Sequence, residues 1–228
     1  MSNALQGISS MATRQVLAEL AAAFTERTGQ AVAIESVGGV DAARRVQSGE
    51  RFDVVILASD AIDKLIAAGH LRPGRADLVR SGVAACVREG APLPDLGSEA
   101  AVKAAVLAAE RISYSTGPSG VALQTLFQRW GVAEAVADKT VQAPPGVPVA
   151  SLVAKGDVSL GFQQLSELLN VPGITIVGPL PEPIQIVTVF SAGIPADTPR
   201  SAAVQAMIEY MRSPDADAAK RRQGMQPA

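Results

Sequence analysis

The chain has 228 residues, 48% of them hydrophobic and 18% charged, with a formal net charge of −2. That is enough apolar material for a sizeable core, in one large domain or two small ones. The near-balanced charge argues against a basic surface for nucleic acid or anionic membrane, and no apolar run reaches the roughly eighteen residues of a membrane span.

In chain order, residues 5–8 read as a short apolar strand. Ser9 or Ser10 is a good N-cap for a helix over 11–28, with Val16, Leu17, Leu20 and Phe24 on one face and Gly29 as its stop. Residues 31–36 form a second strand, and Gly38-Gly39-Val40-Asp41 opens a helix over 42–48. The apolar run 52–57 is expected as a parallel strand covered on both faces, followed by a helix over 61–68 capped by Ser59-Asp60. Three strand–helix units in seventy residues predict a parallel α/β sheet.

The alternation then resumes. Residues 83–87 are a buried strand carrying Cys86, and 89–97 a Pro- and Gly-rich loop. A helix over 98–108, a strand over 112–115 and a Gly-rich loop at 117–120 lead to a helix ending near Trp130-Gly131. A strand at 139–141, a turn at Pro144-Pro145-Gly146, a helix over 148–154 and a strand over 158–162 follow. Gln163-Gln164 and a helical 165–170 come next, then strands at 174–177 and 185–191 and helices over 199–211 and 215–222.

The stretch Ser115-Thr116-Gly117-Pro118-Ser119-Gly120 is the most informative. Hydroxyls and glycines where a strand gives way to a helix present O–H and N–H groups at the positive helix end, which suits an anion. Two similar junctions lie at Gly7-Ile8-Ser9-Ser10-Met11 and Ser36-Val37-Gly38-Gly39. Ser9 and Ser10 serve equally well as plain caps, Gly38 and Gly39 as a tight turn, and Gln163 and Gln164 as a surface pair. As binding groups, Ser9, Ser10, Ser115, Ser119 and the Gln163 and Gln164 amides would donate hydrogen bonds, while Gly38, Gly39 and Gly120 would offer backbone N–H groups. No arginine or lysine sits inside these loops. A carboxylate ligand would recruit one, and Arg80 is the candidate. Tyr114 fits the core or a ligand-lining position.

The single cysteine permits no intrachain disulfide and reads as a core residue. His70, the one histidine, lies in a helix-end signature, and Lys220-Arg221-Arg222 reads as a solvated helix end. No HExxH, CxxC or Walker A pattern is present, and the carboxylates do not cluster at the Gly/Ser loops. Binding without catalysis, metal or cofactor is therefore expected. The opening Met1-Ser2-Asn3-Ala4 has neither the basic nor the apolar region of a secretory leader.

Several segments together resemble the solute-binding proteins of ABC transporters, in the branch around the molybdate-binding protein. They are Gly7-Ile8-Ser9-Ser10-Met11, Phe24-Thr25-Glu26-Arg27-Thr28-Gly29, Phe52-Asp53-Val54-Val55-Ile56-Leu57-Ala58-Ser59, Gly117-Pro118-Ser119-Gly120, the stretch 156–167 and the closing Gly224-Met225-Gln226-Pro227. The resemblance implies a two-lobed α/β fold of the type 2 periplasmic-binding-protein class, each lobe a mainly parallel sheet flanked by helices. Lobe one would be 1–80 with 192–228 and lobe two 81–191, with hinge crossings near 80–87 and 186–192. It further implies a small anion held in a cleft, an ABC permease as membrane partner, no nucleic acid and a monomer. A leader removed on export would place the protein in the periplasm; a chain that never had one would be a cytoplasmic sensor or enzyme of the same fold, with a small carboxylate ligand. Gly38-Gly39-Val40 stands where the family often has Gly-Ser-Ser, and Gln163 or Gln164 where it often has tyrosine. Those departures point away from molybdate itself, toward another oxyanion or a small carboxylate.

Overall fold

The computed structural model describes residues 4–144 and 146–228. Met1, Ser2 and Asn3 of the opening segment, and Pro145 of the expected turn, lie outside the described residues. The chain forms two compact units, one running up to Ser81 and resuming at Thr188–Ala228, the other Gly82–Val187.

The first unit starts with β1 (Leu5–Ser10), a 3-10 turn at Met11–Thr13 and α1 (Arg14–Thr28). The single helix expected from Met11 begins instead with this tighter turn. Ser10 Oγ accepts the Ala12 N–H at 3.4 Å and Thr13 Oγ1 donates to the Ser10 carbonyl at 2.9 Å, which closes the turn early. Gly29 ends α1 at φ 73°, a left-handed position that glycine reaches without penalty. Then come β2 (Val32–Val37), α2 (Gly39–Gln47), β3 (Val54–Ala58), α3 (Ser59–Ala67) and β4 (Ala76–Arg88). β1 lies between β2 and β3, parallel to both. Every residue of β3 is buried, as a central parallel strand requires. Asp53 stands just before β3, and Ser59 is the first residue inside α3 rather than its cap.

In the second unit the chain continues through α4 (Glu99–Ala108), β5 (Ile112–Tyr114), α5 (Pro118–Arg129), α6 (Ala133–Ala137) and β6 (Thr140–Gln142). It then forms α7 (Val149–Lys155), β7 (Leu160–Gln164), α8 (Leu165–Leu168) and β8 (Ile174–Pro179). β5 is parallel to β6 on one side and β7 on the other, and the second half of β4 runs antiparallel to β7 and β8. One sheet face packs Val83, Ala85, Ile112 and Phe162 against α4 and α5. The other packs Ala84 and Cys86 against α7. Cys86 is fully buried, and burial pushes its thiol up to about 12, against a weaker opposing hydrogen bond from the Gly161 backbone. It is an inert core residue.

The chain returns to the first unit through β9 (Val187–Gly193), α9 (Ser201–Arg212), α10 (Asp217–Arg222) and the two-residue β10 (Gln226–Pro227). β9 pairs antiparallel with β3, and β10 antiparallel with the first half of β4. Met207, Ile208 and Met211 of α9 close the core over Leu17, Leu20 and Phe24. The basic cluster 220–222 is not uniformly solvated. Lys220 is 1% exposed, its ammonium 3.3 Å from Asp217 Oδ1, and burial lowers its pKa while Asp217 opposes the shift. Arg222 pairs with Glu19 of α1.

Candidate functional site

In each unit, parallel strands end where helices begin. N–H dipoles at such an edge attract anions. In the first unit this edge is formed by the ends of β1, β2 and β3 and the starts of α1, α2 and α3.

The structure brings Ser9, Ser10 and Gly39 together there. Ser9 and Ser36 are register partners, and their hydroxyls lie 2.8 Å apart. Ser9 is wholly buried, so its hydroxyl braces the strand ends. Ser10 is partly exposed, and a Cβ on Gly39 would come within 3.8 Å of its Oγ. Gly38 is the N-cap of α2 and offers no side-chain acceptor to the first N–H groups. Ala58 leaves α3 in the same condition. Ser36 belongs to this cluster although sequence reasoning did not select it. Its signal was a hydroxyl at a strand end two residues before a glycine pair. A groove of about 610 Å³ between α1 and β2 is lined by Arg14, Leu17, Ala21, Thr25, Ile34 and Ser36, so Ser36 links it to this edge.

In the second unit the edge is formed by the ends of β5, β6 and β7. α5 starts at Pro118, with Gly117 as an N-cap that makes no side-chain bond. Ser119 and Gly120 therefore lie in the first helical turn, not in a loop before it. Proline at the first helical position gives up only an N–H that has no helical partner there. Ser115 and Ser119 hydroxyls lie 3.4 Å apart. The Gly120 N–H donates to the Gly117 carbonyl at 2.9 Å. A Cβ on Gly120 would fall 1.8 Å from the Ser115 carbonyl oxygen. Only glycine lets that carbonyl lie against the helix start.

Gln163 and Gln164 are the last two residues of β7, not a pair after it, and both are buried. Gln163 Oε1 accepts the Ala150 N–H at 3.2 Å and so holds the start of α7. Gln164 is the N-cap of α8 and pairs in register with Val83. Tyr114 is buried edge-on against Phe127, and its hydroxyl accepts from Gln124 Nε2 at 3.0 Å. Among the described residues, no group of three or more His, Cys, Asp or Glu could hold a metal ion, and no helix is long and apolar enough to cross a membrane.

The sequence profile of the bacterial extracellular solute-binding proteins matches residues 5–226. The chain belongs to that family. It is a type 2 binding protein of the molybdate-binding kind in fold. The periplasmic molybdate-binding protein of Azotobacter vinelandii superposes with a TM-score of 0.82 at 22% identity, covering 98% of this chain and 99% of that one. The sulfate-binding protein of Mycobacterium tuberculosis gives 0.80 at 15%, covering 100% and 88%. At these identities the likeness is one of fold. An aconitate isomerase from a Pseudomonas species is 37% identical over 220 residues, which span 92% of this chain and 82% of that protein. This relative corrects the expectation of binding without catalysis. That expectation rested on the lack of any familiar catalytic motif, and a protein this similar carries an enzyme's name.

Proposed function

We propose that this protein binds a small polycarboxylate of the aconitate class and isomerises it. The observation that carries the proposal is the 37% identity to an aconitate isomerase along nearly the whole chain. Physical chemistry supports it. A carboxylate-rich ligand needs donors; the first unit's edge carries the partly exposed Ser10 hydroxyl and the start of α2 at Gly38-Gly39, which has no side-chain cap, and the second unit's edge carries the Ser115 and Ser119 hydroxyls at the start of α5. The reaction needs no change of oxidation state. A proton leaves the methylene carbon, the double bond shifts toward it, and a proton returns at the far carbon. The methylene is acidified by the neighbouring carboxyl groups, and donors fixed around those groups stabilise the charge that develops.

A second reading is capture of the same anion for an ABC permease in the periplasm. The family's extracellular description and the transport-type binding proteins that share the fold favour it.

The direct test is proton NMR of cis-aconitate with the purified protein in D2O. The expected result is trans-aconitate carrying deuterium; a substrate spectrum that does not change overturns the isomerase reading. Ligand binding is measured separately by thermal shift with aconitate, molybdate and sulfate. Saturation at about a hundred times Kd stabilises the folded state by about 2.7 kcal/mol. Ser119→Ala removes one hydroxyl from the start of α5 and is expected to weaken aconitate binding by about tenfold with little change in melting temperature. Unchanged affinity in calorimetry would remove that turn from the site.

A further inference from the structure

We propose that Arg80 is the cation that selects carboxylate ligands; this inference rests on the reading of a polycarboxylate substrate. The placement of Arg80 follows from strand register. Ser191 Oγ donates to Asp77 Oδ1 at 2.7 Å, and the Val83 N–H donates to the Ile186 carbonyl at 3.0 Å. As β4 advances by six residues its neighbours in β9 and just before it retreat by five, so the two segments run antiparallel. The register slips by one residue between these contacts, so Arg80, three beyond Asp77, stands level with Thr188 or Val189. That is one or two residues ahead of Phe190, which pairs with Ala58, the last residue of β3. Arg80 therefore lies at the carboxyl edge of the first unit's parallel strands, the edge that carries Ser10 and Gly39.

Its state is the second observation. Arg80 is exposed, and among the described residues its guanidinium has no ion pair or hydrogen bond. Most other side-chain cations without a partner sit at the opposite strand ends. Arg51 precedes β3, Arg111 precedes β5, Lys155 ends α7, and Arg88 ends β4 opposite Ile174. Arg14 is at the right edge but lines the groove between α1 and β2. Among the described residues, Arg80 combines an unpaired guanidinium with a place on the donor edge. The donors of Ser10, Gly38 and Gly39 on the same edge, with β3 and β9 between them and β4, are uncharged, which suits an inorganic oxyanion. A planar carboxylate gains most from the two parallel N–H bonds of an arginine.

The test is isothermal calorimetry with trans-aconitate and with molybdate on the native chain, Arg80→Gln and Arg80→Lys. The expected result is a loss of aconitate affinity of about ten- to hundredfold in Arg80→Gln, a smaller loss in Arg80→Lys, and any molybdate affinity unchanged. Because the side chain is exposed and unpaired, both variants should melt with the native chain. Aconitate affinity in Arg80→Gln within twofold of the native value overturns the inference and leaves the polycarboxylate reading standing. An equal loss for both ligands also overturns it, since that is damage to the whole edge. No carboxylate binding by the native chain removes the reading and the inference with it.

Discussion

Replacing Gly120 by alanine should cost about 3 kcal/mol of stability, at the upper end of overpacking penalties, and abolish detectable aconitate binding. The new methyl would sit 1.8 Å from the Ser115 carbonyl oxygen and 3.2 Å from the Tyr114 ring. A side chain can rotate away from such a contact, but a backbone carbonyl moves only with its peptide plane. The Ser115–Gly117 segment would swing outward, taking with it the 3.4 Å approach of the Ser115 and Ser119 hydroxyls. Urea unfolding measures the stability loss and calorimetry the binding loss. Gly117→Ala is the control. Its added Cβ meets nothing closer than Ser115 Oγ at 3.8 Å, and its φ of −77° suits any residue. A Gly120→Ala protein with native stability and affinity would show that the carbonyl does not lie where the structure puts it.

Asp53→Ala is the second large effect, expected at about 3 kcal/mol. Asp53 is 9% exposed. Its Oδ2 accepts the Gln6 N–H at 2.9 Å, and Oδ1 accepts the Thr198 hydroxyl at 2.8 Å. Arg200 Nη1 lies 3.6 Å from it and also donates to the Ala4 carbonyl. Removing the carboxylate strands a buried hydroxyl and a partly buried N–H and takes the nearby counter-charge from a partly buried guanidinium. Asp53→Asn keeps an acceptor oxygen and should recover part of the loss. Chemical denaturation of both variants gives the comparison, and equal stability of Asp53→Ala and the native chain would refute the bracing role. The aspartate ties β1 and the segment before α9 to the root of β3, at the opposite strand end from Ser10 and Gly39.

The alternation of strands and helices was legible because apolar runs, caps and glycine stops repeat in phase. The first half of β4 was not. Pro73-Gly74 precedes it, and Arg75, Asp77 and Arg80 interrupt the apolar pattern. The fold neutralises Asp77 instead of expelling it. Burial opposes ionisation, but the Ser191 hydroxyl and the Arg75 guanidinium hold its carboxyl below the usual range. Those partners are 114 residues away in one case and two in the other, and only the nearer one is visible in local sequence. The Ser119–Gly120 turn stands out in the sequence, but its helical state was hidden, because Gly-Pro-Ser-Gly reads as a turn until Pro118 is recognised as a first helical residue. Gln163 looked like a surface amide because its acceptor role depends on the distant Ala150 N–H. Lys220 looked solvated because three consecutive cations usually are. The proposed isomerisation has no local signature in the sequence: the edges carry hydroxyls and amides, and the reading rests on similarity to a relative named as an isomerase.

The unbroken course of β4 has a consequence for how this chain can vary. Its thirteen residues supply Leu78 and Val79 to one interior and Val83, Ala85 and Val87 to another. Side chains along a strand alternate with a period of two, so a deletion or insertion of one residue near Gly82 would invert every inward position on one side of the change. Neither interior could absorb that slip alone. Length variation among descendants of this sequence should therefore collect in the Pro-rich segment before α4, while β4 keeps its residue count.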